Sequence, residues 1–170
     1  DAPINDTNNG YVGYVTVIDP ARSNVLKNIQ IGEISTDLGT LIHNPSNGYI
    51  YAMTIYNNDT DTHSIAVIDP YRNTVIKNIQ IGETDNFFGD LIYNPSNGYI
   101  YATSIMNETG IVSIIDSSTN NIVKNISIGD PFFTFDRKLI YNPSNGYIYL
   151  STDNLYVIKH KEVSKPYSNY

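Results

Sequence analysis

The sequence predicts an all-β protein assembled from tandem four-stranded antiparallel units. Three observations predict it: an octapeptide that recurs without change, two further landmarks that keep the same period, and short strand-forming runs bounded by turn residues. The octapeptide Asn-Pro-Ser-Asn-Gly-Tyr-Ile-Tyr occupies Asn44–Tyr51, Asn94–Tyr101 and Asn142–Tyr149, with spacings of 50 and then 48 residues. The second landmark reads Val17-Ile18-Asp19-Pro20, Val67-Ile68-Asp69-Pro70 and Ile114-Ile115-Asp116-Ser117, with a degenerate copy at Val157-Ile158-Lys159-His160. The third runs from Asn24 to Glu33, from Thr74 to Glu83 and from Asn121 to Asp130. Three independent landmarks on one period mean stacked supersecondary units.

Each unit parses into four strands, shown best by the third copy of the repeat. The first is Leu91-Ile92-Tyr93. Tyr99-Ile100-Tyr101-Ala102-Thr103 is the second, Ile111-Val112-Ser113-Ile114-Ile115 the third, and Ile122 to Ile128 the fourth. These runs are rich in β-branched and aromatic residues. In Asn94-Pro95-Ser96-Asn97-Gly98 the proline presets φ, and Asn-Gly is expected to supply the positive φ of a tight hairpin. Asp116 to Asn121 forms a polar hairpin between strands three and four. Gly32, Gly82 and Gly129 close strand four, where a sharp turn into the next unit is expected. Along strand four, simple alternation puts Val75, Lys77, Ile79 and Ile81 on one face and Ile76, Asn78 and Gln80 on the other. No segment carries a helical period with caps.

Four-stranded antiparallel repeats of this length predict the blades of a β-propeller. A sandwich has no reason to repeat its sequence. The predicted layout is a partial blade over about residues 10–32, full repeats at about 34–82 and 84–129, a partial repeat at about 130–160, and a polar tail, 161–170, that serves as linker or added strand. That is roughly three units, too few for one closed propeller of four to eight blades. Two readings follow. Either the chain is part of a longer propeller, or copies assemble, with their unpaired terminal strands mating between chains. The sequence begins at Asp1 as a processed or excised segment would, and no signal-peptide pattern opens it.

The motif set resembles the YVTN β-propeller repeat: Asn-Pro-Ser-Asn-Gly-Tyr-Ile-Tyr, then Val-Ile-Asp-Pro, then Val-Ile-Lys-Asn-Ile-Gln-Ile-Gly. The likeness runs over about residues 10–160, and the first copy holds Tyr14-Val15-Thr16-Val17 in its Val-Ile-Asp strand. It implies a propeller fold and, from the archaeal surface-layer and cell-surface members of that family, a structural or adhesive role. Related lactonase and lyase propellers make an enzyme segment with a channel-centred site the alternative.

Totals narrow the chemistry. The chain has 170 residues, 41% hydrophobic and 16% charged, which suits a folded domain rather than a disordered one. The net charge of −7 provides no basic stripe for a nucleic-acid backbone or an anionic membrane. The absence of cysteine excludes disulfides, zinc fingers, iron–sulfur centres and thiol catalysis. No apolar run reaches the ~18 residues of a membrane span.

Candidate chemistry is sparse. His43, His63 and His160 are scattered, and His43 stands where the other repeats have Tyr93 and Tyr141, which reads as packing. Asp19, Asp69 and Asp116 recur at the end of strand three; a turn cap explains them more simply than a ligand ring, which Lys159 would break. The oxygen-rich loop Asn57-Asn58-Asp59-Thr60-Asp61-Thr62-His63 lacks the pattern of an EF-hand and reads as a hairpin tip. Glu33, Glu83 and Asp130 would share one rim as solvated linkers. No nucleophile–base, His-Glu-x-x-His or phosphate-loop motif occurs, so no catalytic, cofactor or metal site is assigned. Four sequons, at Asn5, Asn58, Asn107 and Asn125, are glycosylation candidates and fit an exported protein. The expected partners are further copies, the remaining blades of a longer chain, or a cell-surface protein or glycan.

Overall fold

The computed structural model describes residues 12–34, 38–54, 62–83, 89–129, 138–151, 155–158 and 163–164. They form strands and turns only: β1 (Val12–Asp19), β2 (Asn24–Ile34), β3 (Leu38–His43), β4 (Ile50–Thr54), β5 (Thr62–Asp69), β6 (Thr74–Glu83), β7 (Leu91–Asn94), β8 (Tyr99–Met106), β9 (Thr109–Asp116), β10 (Asn121–Ser127), β11 (Lys138–Asn142), β12 (Tyr147–Ser151), β13 (Leu155–Ile158) and β14 (Val163–Ser164). Among them no helix is long and apolar enough to cross a membrane.

Pairing is antiparallel and sequential within each repeat. Blade I is β1–β2, blade II β3–β6, blade III β7–β10 and blade IV β11–β14. The tail contributes Val163–Ser164, which pairs with Val157 and Ile158 as a short fourth strand of blade IV. The first strands of successive blades lie side by side, β7 against both β3 and β11. The blades therefore fan out from a common inner edge.

The described hairpins of the octapeptide and of the Val-Ile-Asp landmark share one device, unlike the two-residue hairpin at Asn107 and Glu108 between β8 and β9. An acceptor side chain opens the turn and the residue four positions on takes positive φ. In the octapeptide, Asn44 Oδ1 accepts from Ser46 N (2.9 Å) and Ser46 Oγ (2.7 Å), and Gly48 N donates to Asn44 O (2.8 Å). Asn94 and Asn142 repeat this with Gly98 and Gly146. Only the glycines carry positive φ, +73° to +78°. The Asn-Gly pair is thus the close of a longer turn and not a two-residue hairpin; Pro and Ser occupy its first corner. The turn between strands three and four has the same plan with Asp first and Ser23, Asn73 or Asn120 in the left-handed region.

Strand four departs from simple alternation. Val17 pairs Lys27 and Ile18 pairs Val25; Val67 pairs Lys77 and Ile68 pairs Val75; Ile114 pairs Lys124 and Ile115 pairs Ile122. Each step slips by one residue, leaving a bulge at Leu26, Ile76 or Val123, all exposed. The bulge reverses the facing of the residue before it. Ile79 and Ile81 pack toward blade III, whereas Val75 packs with Ile68 toward blade I. The expected single apolar face of Val75, Lys77, Ile79 and Ile81 is therefore divided between two neighbours, and the strand staples both.

Three apolar clusters result, one per joint. Ile29 and Ile31 of blade I meet Ala52, Ala66 and Ile68 of blade II. Tyr51, Met53, Ile65, Val67, Ile79 and Ile81 meet Leu91, Ile100, Ala102 and Ile115. Tyr101, Val112, Ile126 and Ile128 meet Leu139, Ile148, Leu150 and Ile158. A lone sheet of this kind would leave both faces wet; stacking covers them. Gly82 serves close approach rather than a sharp turn: a Cβ there would sit 2.4 Å from Ile105 O, where β6 meets β8 at the Glu83–Ile105 pairing. Gly129, by contrast, does take positive φ, +86°.

Candidate functional site

The octapeptide's polar residues reach across to a neighbouring blade at the joint between blades II and III. In blade II, Tyr51 is fully buried; its hydroxyl donates to Asn120 Oδ1 of blade III at 2.6 Å and accepts from Asn47 Nδ2 at 3.2 Å. Asn47 Nδ2 also donates to Ser117 O of blade III at 2.9 Å. The Asn47–Tyr51 pair thus grips the hairpin between strands three and four of the next blade. It is prebuilt within the octapeptide, since Asn97 Nδ2 meets Tyr101 OH at 2.9 Å and Asn145 Nδ2 meets Tyr149 OH at 2.8 Å. Asn47 Oδ1 holds the pair in place by accepting from Tyr49 N at 2.9 Å. Burial pushes the Tyr51 and Tyr101 phenols above their ordinary range, which keeps them neutral.

A second joint lies at the inner edge, and sequence reasoning missed it. Asp90, just before β7, is buried. Its Oδ1 accepts from Thr40 Oγ1 of blade II at 2.9 Å and its Oδ2 from Leu139 N of blade IV at 2.7 Å. Its own backbone N donates to Thr103 Oγ1 at 2.7 Å. One carboxylate therefore ties three consecutive blades. The signal was present in the repeat: Thr40, Asp90 and Lys138 are equivalent positions filled by three different residue types. Of the three, Asp90 is the one whose carboxylate bridges to the blades on either side, and Thr40 is one of its partners.

The recurrent aspartates cap their turns. Asp19 Oδ1 accepts from Ala21 N (2.9 Å) and Arg22 N (3.3 Å), and Arg22 Nη1 lies 2.9 Å from Oδ2. Arg22 and the turn amides hold the Asp19 carboxyl below the usual carboxylate range. Asp69 has the same partners in Tyr71 N (2.8 Å) and Arg72 (2.6 Å); burial raises its pKa, but these bonds together outweigh it and the net shift is downward. In Asp116, Ser118 replaces the arginine, donating from Oγ at 2.7 Å and N at 2.8 Å, again lowering the pKa.

The remaining candidates do not come together. His43 is exposed at the end of β3 and His63 is buried in β5; His160 lies outside the described residues. Glu83 is exposed and its Oε2 accepts from Asn107 N at 3.1 Å, while Asp130 and the side chain of Glu33 lie outside the described residues, as do residues 57–61 of the oxygen-rich loop. Among the described residues no three His, Cys, Asp or Glu side chains group as metal ligands would. Of the sequons, Asn107 sits in an exposed two-residue hairpin with φ +49°, and Asn125 is exposed within β10. Asn5 and Asn58 lie outside the described residues.

Comparison with known proteins places this geometry. No family model and no curated protein matches the chain. Solved structures do. Hydrazine synthase of Kuenenia stuttgartiensis aligns with a TM-score of 0.66 at 18% identity, over 87% of this chain and 45% of that one. The Dos1 propeller aligns at 0.64 and 16% identity, over 91% and 41%. The fold is a β-propeller's, left unclosed. The dihydro-heme d1 dehydrogenase NirN aligns at 0.56 and 16%, over 71% of this chain and 25% of that one. The propeller arc thus spans less than half the length of these relatives. At such identities the likeness is one of fold, and the finer resemblance to the YVTN repeat rests on the motifs themselves.

Proposed function

We propose that the chain is a structural or adhesive repeat module of an exported cell-surface, surface-layer or filament protein, working through protein or glycan contacts made by its blades. One observation carries this reading. The polar side chains that recur in the octapeptide and at the end of strand three are engaged in turns and, between blades II and III, in the blade joint, so that repeated chemistry serves cohesion. Turnover at a channel would instead call for acids, bases or ligands brought together at the inner edge, where the described carboxylate, Asp90, is occupied by Thr40 and Leu139. The acidic charge of −7, the exposed sequons at Asn107 and Asn125, those at Asn5 and Asn58, and the resemblance to YVTN surface proteins support the same reading.

The test is location and mass of the native protein. Surface biotinylation of intact source cells is expected to label it, and its intact mass is expected to exceed the polypeptide's by glycan increments that map to the sequons. A native product that is intracellular and carries no sugar overturns the proposal. Stoichiometric metal retained through purification, with lactone or lyase turnover, would move the assignment to the enzyme alternative.

A further inference from the structure

Equivalent residues at the ends of the arc do not share the burial of those within it. The isoleucine of the Val-Ile-Asp landmark is 1% exposed at Ile68, 0% at Ile115 and 3% at Ile158, but 61% at Ile18. Inside the chain that residue is covered by the preceding blade; blade I has no preceding blade among the described strands. Val25, which pairs Ile18, is likewise exposed, where its equivalents Val75 and Ile122 are half-buried. At the other end, Tyr149 and Asn145 keep their mutual hydrogen bond, but Tyr149 is half-buried and Asn145 exposed, whereas Tyr51 and Tyr101 are buried. Beside Tyr149 on the same sheet face stand Ile140, 63% exposed, and Val157, its register partners on either side.

These two faces are the halves of a joint that the chain already makes. Tyr51 with Asn47 grips Asn120 and Ser117 O, while Ile115 and Ile122 press against the sheet that carries Tyr51. Among the described residues, Tyr149 with Asn145 is that grip without its object, and the Asp19–Ser23 hairpin, with Ile18 and Val25 behind it, is the object without its grip. Ser23 holds the same left-handed conformation as Asn120, φ +52° against +55°. We propose that the Tyr149 face of one copy docks on the Ile18 face of a second copy, with Tyr149 OH meeting Ser23 Oγ, Asn145 meeting the carbonyl of Pro20, and Val157 covering Ile18. The occupant is a second copy because the complement of each face is present on the opposite end of this same chain. The contact joins unlike surfaces, so it propagates head to tail and closes into a ring or extends as a filament according to its rotation. It deepens the structural-module reading by naming the partner and the surface.

The experiment is light scattering on the wild-type chain and two variants, Ile18→Asp and Tyr149→Asp. Both sites lie on open faces, and far-ultraviolet circular dichroism establishes that each variant keeps its strands. Wild type at roughly 100 µM, a concentration suited to an interface of modest size, is expected to exceed the monomer mass. Each variant alone is expected to associate at least ten-fold more weakly. Mixed one to one, the variants are expected to give a species of twice the monomer mass, because each keeps the face the other has lost. Wild type that stays monomeric, or variants that fail to complement when mixed, overturns the proposal. A monomer that is nevertheless glycosylated and surface-labelled on native cells would remove self-docking and leave the module reading standing.

Discussion

The joint between blades II and III and the open faces at the two ends of the arc are made of equivalent residues in opposite surroundings. Ile115 is sealed by the sheet of blade II, and Ile18, its counterpart, meets solvent. Tyr51 reaches across to Asn120, and the described partner of the Tyr149 hydroxyl is Asn145 of its own turn. Residue type is nearly constant between the two regions, so the difference isolates what a neighbouring blade contributes. Local turns and pairings form without the neighbour; burial and the cross-blade hydrogen bonds do not.

The comparison is sharpened most by truncating its apolar half. Ile68→Ala leaves a cavity between blades I and II and is expected to cost about 2–5 kcal/mol in denaturant unfolding. Ile18→Ala, on the dilute chain, is expected to stay within about 0.5 kcal/mol of wild type. Equal losses at both sites would break the contrast. Next in size is Asp90→Ala, which strands Leu139 N and Thr40 Oγ1 and removes the tie among three blades. About 2–4 kcal/mol is expected from the loss of two hydrogen bonds to a buried carboxylate, read from the same unfolding curves. Asp90→Asn keeps one acceptor oxygen and is expected to lose less.

Tyr51→Phe removes one hydroxyl from a buried network and is expected to cost about 1–2 kcal/mol, whereas Tyr149→Phe in the dissociated chain is expected to cost a few tenths at most. The smallest effect is electrostatic. Asp19, Asp69 and Asp116 have pKa values lowered by folding. A lowered folded pKa contributes stability that is fully present above the unfolded value, near ~3.9, and is lost as pH falls through the folded value. Melting temperature is therefore expected to fall as pH is lowered from about 4. Asp116→Asn, which keeps an acceptor for Ser118, is expected to flatten part of that slope while leaving neutral-pH stability nearly unchanged.

Much of the fold was legible because repetition aligns the chain with itself. The octapeptide marked the first hairpin of three blades, and the Val-Ile-Asp landmark marked strand three in each. What alternation could not show was the bulge at Ile76: periodicity assumes one residue per pleat, and the slip appears only when a partner strand supplies the register. Gly82 was read as a turn residue because its neighbours Ile105 and Ser104 lie more than twenty positions away. The left-handed residue of the octapeptide was placed one position too broadly, since Asn-Gly has a two-residue hairpin as its commonest setting. Asp90 was passed over because a lone acid between Gly89 and Leu91 has no local signature; its partners lie in the blades on either side. The joints became visible only where distance in sequence gave way to distance in space.

The claim beneath all of this is that a neighbouring blade, and nothing local, decides whether a repeat position is covered. The protein has no cysteine of its own, which allows a direct measurement. Single variants Ile18→Cys, Ile68→Cys and Ile115→Cys, labelled at low concentration with a thiol reagent, report the accessibility of three equivalent positions. The account predicts labelling at position 18 at the rate of a free thiol, and labelling at 68 and 115 slowed at least a hundred-fold and quickened by denaturant. Comparable rates at all three positions would contradict it.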